Sequence, residues 1–97
     1  MSKALQFEWD EKKNQINLKK HRISFEEAKT VFYDDNAIVF DDPEHSEDEE
    51  RFILLGMSIF GKICIVCHCV RCNETLIRII SARKATKKEA DVYVERI

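Results

Sequence analysis

The fold is decided by the stretch FILLGMSIFGKICIVCHCV, residues 52–70. It contains two near-continuous apolar runs, 52–57 and 63–70, which are separated by a short segment that includes Ser58 and Gly61. Apolar runs of about 4–8 residues that are bounded by turn residues are typical of buried strands. The stretch therefore predicts a β-hairpin at the centre of the domain.

Further strands are predicted on both sides of this hairpin. Residues 37–40 (AIVF) are short, apolar and partly β-branched, and they precede a polar segment, 41–50, in which Pro43 cannot donate to a strand ladder. After the hairpin, a turn at Asn73 leads into an apolar segment at 76–82. The pattern predicts a meandering antiparallel sheet of four strands.

Helices are predicted at both ends of the chain. Asp10 is suited to cap a helix over 11–20, and Ser24 is suited to cap a second helix over 25–33. A capping box at Thr86 and Glu89 predicts a C-terminal helix. The order α-α-β-β-β-β-α indicates an α+β fold, in which the helices cover one face of the sheet and leave the other face open.

Length and composition indicate one soluble globular domain that spans residues 1–97. The chain is 44% apolar and 35% charged, and it has no apolar run of the ~18 residues that a membrane span needs. Nothing at its N-terminus resembles an export signal, so we expect a cytoplasmic protein. The net charge of −2 conceals an asymmetry, because residues 34–50 contain nine carboxylates and no Lys or Arg. The rest of the chain is basic, which suits a phosphate-containing partner, although a charge run is often only a solvated surface.

The four cysteines, Cys64, Cys67, Cys69 and Cys72, include two CxxC spacings that suggest zinc. On a strand, Cys64 and Cys72 would share one face, about 26 Å apart at ~3.3 Å per residue, and the other two would share the opposite face. Four ligands cannot converge on one ion from these positions. We therefore expect small apolar strand residues and no metal site or cofactor; a metal at Cys69 and Cys72 with an outside ligand is the alternative.

Basic side chains are concentrated in and beside the predicted strands, at Arg51, Arg71, Arg78, Arg83 and Lys84. Arginine stays protonated and binds phosphate through two parallel hydrogen bonds, which makes it suited to stabilising phosphate chemistry. Regular strand alternation predicts that Arg78 and Arg83 point to opposite faces. Ordinary salt bridges with the acids of 34–50 are an equally weighted alternative.

Each histidine is a candidate acid or base near neutral pH. His21 follows the first predicted helix, His45 lies in the acidic segment, and His68 lies within a predicted strand. The sequence has no phosphate-binding glycine loop, HExxH or GxSxG motif. It therefore disfavours nucleotide-binding, zinc-protease and serine-hydrolase chemistry.

Several motifs resemble the BrnT family of bacterial toxins over nearly the whole chain. In order along the chain they are FEWD at 7–10, Lys20-His21, FEEA at 25–28, His45-Ser46, Glu50-Arg51, IRIISARKAT at 77–86, Glu89 and Tyr93. The resemblance implies a ribonuclease toxin of a type II toxin–antitoxin system with a RelE-like fold. It also implies a BrnA-like ribbon-helix-helix antitoxin that neutralises the toxin, usually in a heterotetramer, and that provides the DNA contacts.

For such an enzyme we expect metal-independent cleavage in which the 2′-hydroxyl of RNA attacks the phosphate. Arg71, Arg78 and Arg83 are the predicted phosphate and transition-state residues, and His45 or His21 is the predicted proton-transfer residue. The other predicted RNA contacts are Trp9, Arg51, Lys84 and Tyr93, of which Tyr93 is also a weaker proton-transfer candidate. The alternatives are a non-catalytic module that binds and regulates a partner protein and, less favoured, a small metal-binding protein.

Overall fold

The computed structural model describes residues 4–45 and 49–97, without the side chain of His45. The described helices and strands are, in chain order, β1 (Gln6–Glu8), α1 (Glu11–His21), α2 (Phe25–Val31), β2 (Ile38–Asp41), β3 (Arg51–Met57), β4 (Ile63–Arg71), β5 (Leu76–Lys84) and α3 (Lys87–Arg96). A single 3-10 turn, Pro43–His45, lies between β2 and β3. Among the described residues, no helix has the length and hydropathy of a membrane span.

The strands form one mixed sheet in the order β1-β5-β4-β3-β2, with five members in the described part of the chain. Strands β2 to β5 form the predicted antiparallel meander. The prediction of a four-stranded, purely antiparallel sheet is wrong, because β1 pairs in parallel with β5. A strand of three residues is too short to show an alternating pattern, so it is defined by its pairing with β5.

Local capping explains where the helices begin. The Asp10 side chain accepts hydrogen bonds from the backbone N–H groups of Lys12 and Lys13, and the Ser24 side chain accepts one from Glu27. Thr86 and Glu89 form the predicted reciprocal capping box. These contacts satisfy N–H groups that would otherwise have no partner in the first turn of each helix, and they confirm the three predicted helices.

The main core lies between the sheet and the two N-terminal helices. Phe25 and Val31 of α2 are fully buried against strand residues that include Val66 and Ile79. Helix α3 packs on the opposite face, where Tyr93 contacts Leu55 and Ile65 in a smaller cluster. The prediction that helices cover one face is therefore confirmed for α1 and α2, and α3 covers part of the second face.

A β-bulge in β5 changes which side chains share a face. Cys67 pairs with Ser81, but the next residue, His68, pairs with Ile79, so Ile80 is an extra residue in β5. The prediction that Arg78 and Arg83 point to opposite faces is wrong for this reason. These arginines pair with Cys69 and Ile65, which lie four positions apart on β4 and therefore share a face.

Candidate active site

Four arginines lie on the face of the sheet that α1 and α2 leave uncovered. Arg51 pairs with Cys69, and Cys69 pairs with Arg78, so these residues form one row across β3, β4 and β5. Directly paired residues in a sheet point to the same side. Arg71 lies two residues beyond Cys69 on the same strand and therefore points to the same side. The bulge at Ile80 brings Arg83 to this side as well. We call this surface the arginine face; its basic residues are Arg51, Arg71, Arg78 and Arg83.

Two carboxylates hold Arg71 from both sides. Its Nη1 donates to Glu8 Oε2 at 3.1 Å, while its Nη2 and Nε donate to Glu49 at 2.7 and 3.1 Å. The same Glu8 oxygen accepts a hydrogen bond from Arg78 Nη1 at 3.3 Å. Hydrogen bonding from Arg71 lowers the pKa of Glu49. Carboxylates and guanidinium groups therefore alternate in one hydrogen-bonded network, in the order Glu49, Arg71, Glu8 and Arg78.

Arg83 forms a separate ion pair at the start of α3. Its Nη1 and Nη2 donate to the two carboxylate oxygens of Glu89 at 2.8 and 2.9 Å. Hydrogen bonds from Arg83 and from the Thr86 backbone lower the pKa of Glu89 to about 2 despite partial burial. Glu89 is therefore ionised at neutral pH and is a weak proton acceptor.

Of the two histidines predicted to transfer protons, the structure describes the side chain of one, and that one lies away from this face. His21 is the last residue of α1, in the helical layer on the opposite side of the sheet. The side chain of His45 lies outside the described part of the structure. The carboxylates that form ion pairs with Arg71, Arg78 and Arg83 include Glu8, Glu49 and Glu89.

Tyr93 is a residue of α3, on the same side of the sheet as the arginine face, but its hydroxyl group already forms a hydrogen bond. It is 3% exposed and donates to Asp34 Oδ2 at 2.7 Å. Burial and this hydrogen bond raise the pKa of Tyr93 to about 12. The phenol therefore stays protonated at neutral pH, and this contact connects α3 to the segment after α2.

Two predicted RNA contacts lie away from the arginine face. Trp9 packs edge-to-face on Phe25 with ring centroids 6.1 Å apart, and its Nε1 donates to Glu11. Lys84 is exposed, but it pairs with Cys64, whose side chain is buried under the helices. The structure therefore separates Trp9 and Lys84 from the arginine face.

The cysteines follow the predicted strand alternation within β4. Cys64 is buried in the main core, whereas Cys67 and Cys69 lie on the arginine face and Cys72 is exposed in the turn after β4. Burial raises the pKa of Cys64 to about 11, so that thiol stays protonated. In the described part of the chain, no three His, Cys, Asp or Glu side chains are grouped closely enough to hold a metal ion.

His68 is on the helix-covered face, is 3% exposed and packs on Phe32 with ring centroids 4.8 Å apart. Desolvation lowers the pKa of this imidazole. His68 is therefore a neutral, buried residue of the helix-covered face and does not reach the arginines.

The carboxylates of the site, above all Glu8, are not predicted by the sequence patterns. It lies within the FEWD motif, and its neighbour Phe7 packs against the helix-side residue Phe32. Alternation in such a short segment places Glu8 on the other face, but that inference needs β1 to be recognised as a strand. Its position opposite Arg78 is a matter of strand pairing between distant parts of the chain.

Comparisons with known proteins agree with this architecture. The chain has the fold of the Brucella abortus ribonuclease toxin BrnT, whose crystal structure at 1.1 Å resolution matches with a TM-score of 0.65. That match has 23% sequence identity and covers 87% of this chain and 100% of the other. Among curated proteins, no relative matches the chain. Residues 9–89 match the family model described as the ribonuclease toxin, BrnT, of a type II toxin-antitoxin system. The chain therefore belongs to the BrnT family of ribonuclease toxins.

Proposed function

We propose that this toxin cleaves RNA on the arginine face and that the 2′-hydroxyl of the substrate is the nucleophile. The observation that carries the proposal is the bulge at Ile80, because it brings Arg83 to the same side as Arg51, Arg71 and Arg78. Several guanidinium groups on one surface can bind the RNA backbone and stabilise the charge that develops on the reacting phosphate.

The reaction needs no external nucleophile. The 2′-oxygen forms a bond to phosphorus while the bond to the 5′-oxygen of the next nucleotide breaks, which leaves a 2′,3′-cyclic phosphate and a 5′-hydroxyl. One group accepts the 2′-hydroxyl proton, and another donates a proton to the leaving oxygen. Arg71, Arg78 and Arg83 bind the phosphate in a metal-independent reaction, and His45 is our candidate for proton transfer.

The ion pairs of the free protein are compatible with this role. The side chains of Arg78 and Arg83 are 33% and 41% exposed. Ion pairs at such exposure contribute roughly 0–1 kcal/mol. A phosphate can therefore replace a carboxylate at a guanidinium group for a small cost, since both anions fit the same fork of donors.

Membership in a type II toxin–antitoxin family implies an antitoxin partner. We propose, from the family resemblance, that this partner is a BrnA-like ribbon-helix-helix protein, that the complex is a heterotetramer, and that the antitoxin makes the DNA contacts. We propose from the same resemblance that the fold of this toxin is related to that of RelE.

The deciding experiment uses toxin freed from its antitoxin and incubated with end-labelled RNA in EDTA. Arg78→Ala and Arg83→Ala are the test variants, and Lys84→Ala is the matched control because it removes a cation from the opposite face. We expect each test variant to lower kcat/KM by about 10²-fold, the order found when one donor to a developing oxyanion is lost. The control should cleave like the wild type, and the products should carry a 2′,3′-cyclic phosphate.

Equal cleavage by all four proteins would place the reaction elsewhere or indicate a contaminating nuclease. Cleavage that EDTA abolishes would contradict the metal-independent mechanism. If the folded wild type does not cleave RNA and does not arrest growth when expressed without antitoxin, a non-catalytic binding module becomes the better interpretation.

A further inference from the structure

A single carboxylate oxygen connects two arginines of the proposed site. Glu8 Oε2 accepts from Arg71 Nη1 at 3.1 Å and from Arg78 Nη1 at 3.3 Å. The three residues belong to β1, β4 and β5, so the contact joins three strands on the arginine face. Two guanidinium groups this close repel each other, and a shared anion between them offsets that repulsion.

The position of Glu8 is set by the backbone. β1 pairs in parallel with β5 so that Glu8 lies opposite Arg78. Phe7 anchors the strand from the other side, with its ring centroid 5.3 Å from that of Phe32 and 6.2 Å from that of Tyr33. The short first strand thus has a specific effect, which is to hold one carboxylate beside Arg78.

The contact orients Arg78 without using up its donors. A guanidinium group carries five N–H donors, and Glu8 accepts from Nη1 of Arg78. A hydrogen bond to one donor restricts the rotation of the planar group and leaves its other donors available to a phosphate. Such preorganisation lowers the activation barrier because the arginine does not have to reorient when charge develops on the phosphate.

We propose that Glu8 is a positioning residue that orients Arg78, with the help of Arg71, toward the reacting phosphate. The inference rests on the proposed function, since it assumes that Arg78 contacts that phosphate. Glu8 acts through Arg78 and exchanges no proton with the substrate. Its negative charge also weakens RNA binding slightly, so the removal of that charge affects turnover and binding in opposite directions.

The kinetic test compares Glu8→Gln with the wild type and with Glu26→Gln. Glu26 is a matched control because it is an exposed carboxylate on α2, beyond the opposite face, and its ion pair with Lys29 spans 4.0 Å. We expect Glu8→Gln to lower kcat about tenfold while KM stays the same or falls, and the control to leave both unchanged. An unchanged kcat, or a rise in KM alone, would overturn the inference.

The pH profile and a double-mutant cycle separate positioning from proton transfer. A positioning role predicts that the acidic limb of the kcat profile is kept in Glu8→Gln, whereas its loss would make Glu8 the proton acceptor and refute the proposal. It also predicts that Glu8→Gln has little further effect in an Arg78→Ala background, because both changes remove the same interaction. Fully additive losses would contradict action through Arg78.

A readout that does not depend on activity keeps this inference separate from the proposed function. Arginine side-chain ¹H–¹⁵N spectra of the free protein report whether rotation of the Arg78 guanidinium is restricted. We expect restricted rotation in the wild type and in Glu26→Gln, and averaged signals in Glu8→Gln at unchanged thermal stability. Equal restriction in all three proteins would show that Glu8 does not orient Arg78, whether or not the protein cleaves RNA.

Discussion

The two faces of the sheet share strands β3, β4 and β5 but are built from different interactions. The helix-covered face buries Phe25, Val66 and Ile79 almost completely in a continuous apolar core. On the arginine face, the side chains of Arg78 and Arg83 are a third or more exposed and are held by ion pairs. Stability is therefore concentrated on one side of the sheet, which allows the other side to carry charge for function.

The largest effect on stability is expected from Phe25→Ala. Phe25 has 0% exposure, and its loss leaves a cavity between α2 and the sheet. We expect the free energy of unfolding to fall by about 3–5 kcal/mol, measured by urea denaturation. Phe60→Ala is the control, because this ring is 70% exposed in the turn between β3 and β4. Similar losses in both variants would contradict the concentration of stability on the helix-covered face.

A smaller loss is expected from Asn17→Ala. The Asn17 side chain donates to the carbonyls of Ile23 and Ala82, both at 2.8 Å, and accepts from the Ala82 N–H at 3.1 Å. Strand β1 pairs only with the start of β5. At Ala82, the Asn17 side chain therefore makes the hydrogen bonds that a neighbouring strand would make. We expect a loss of about 2 kcal/mol, since buried backbone groups lose their partners. The exposed Gln15 of α1 provides the control, and an equal effect of Gln15→Ala would refute this role.

The ion pair between Arg83 and Glu89 predicts a contribution to stability that depends on pH. Because folding lowers the Glu89 pKa from 4.5 to about 2, this contribution is complete above pH 4.5 and is lost as the pH falls toward 2. The exposure of the pair limits it to about 1 kcal/mol. Thermal melts between pH 7 and pH 2 should show a smaller acid destabilisation in Glu89→Gln than in the wild type. Glu95→Gln, an exposed change on the same helix, should behave like the wild type.

The smallest effect on stability is expected from Arg78→Ala, although its expected effect on RNA cleavage is large. Removal of this guanidinium breaks a partly exposed ion pair with Glu8, which remains paired with Arg71. We expect the free energy of unfolding to change by less than about 1 kcal/mol. Urea denaturation and RNA cleavage measured on one preparation test both statements. A loss as large as that of Phe25→Ala would make the arginine face part of the structural framework.

Local signals predicted most of the secondary structure. The caps at Asp10, Ser24 and Thr86 locate the three helices, and the runs around Gly61 locate the central hairpin. These features depend on hydrogen bonds within one turn and on the apolar character of consecutive residues. They are therefore readable from a single sequence. The short motifs also carry the resemblance to the BrnT family, whose model matches residues 9–89.

The arrangement of the site was decided by tertiary structure. Alternation placed Arg78 and Arg83 on opposite faces, and the bulge at Ile80 reversed that result. The parallel pairing of β1, which brings Glu8 to Arg78, joins residues about 70 positions apart. The amino-acid sequence alone specifies which residue types are available, the three helices and the four strands of the antiparallel meander, but not the short strand β1. Strand register and bulges, which depend on packing across the whole sheet, determined which of those residues meet.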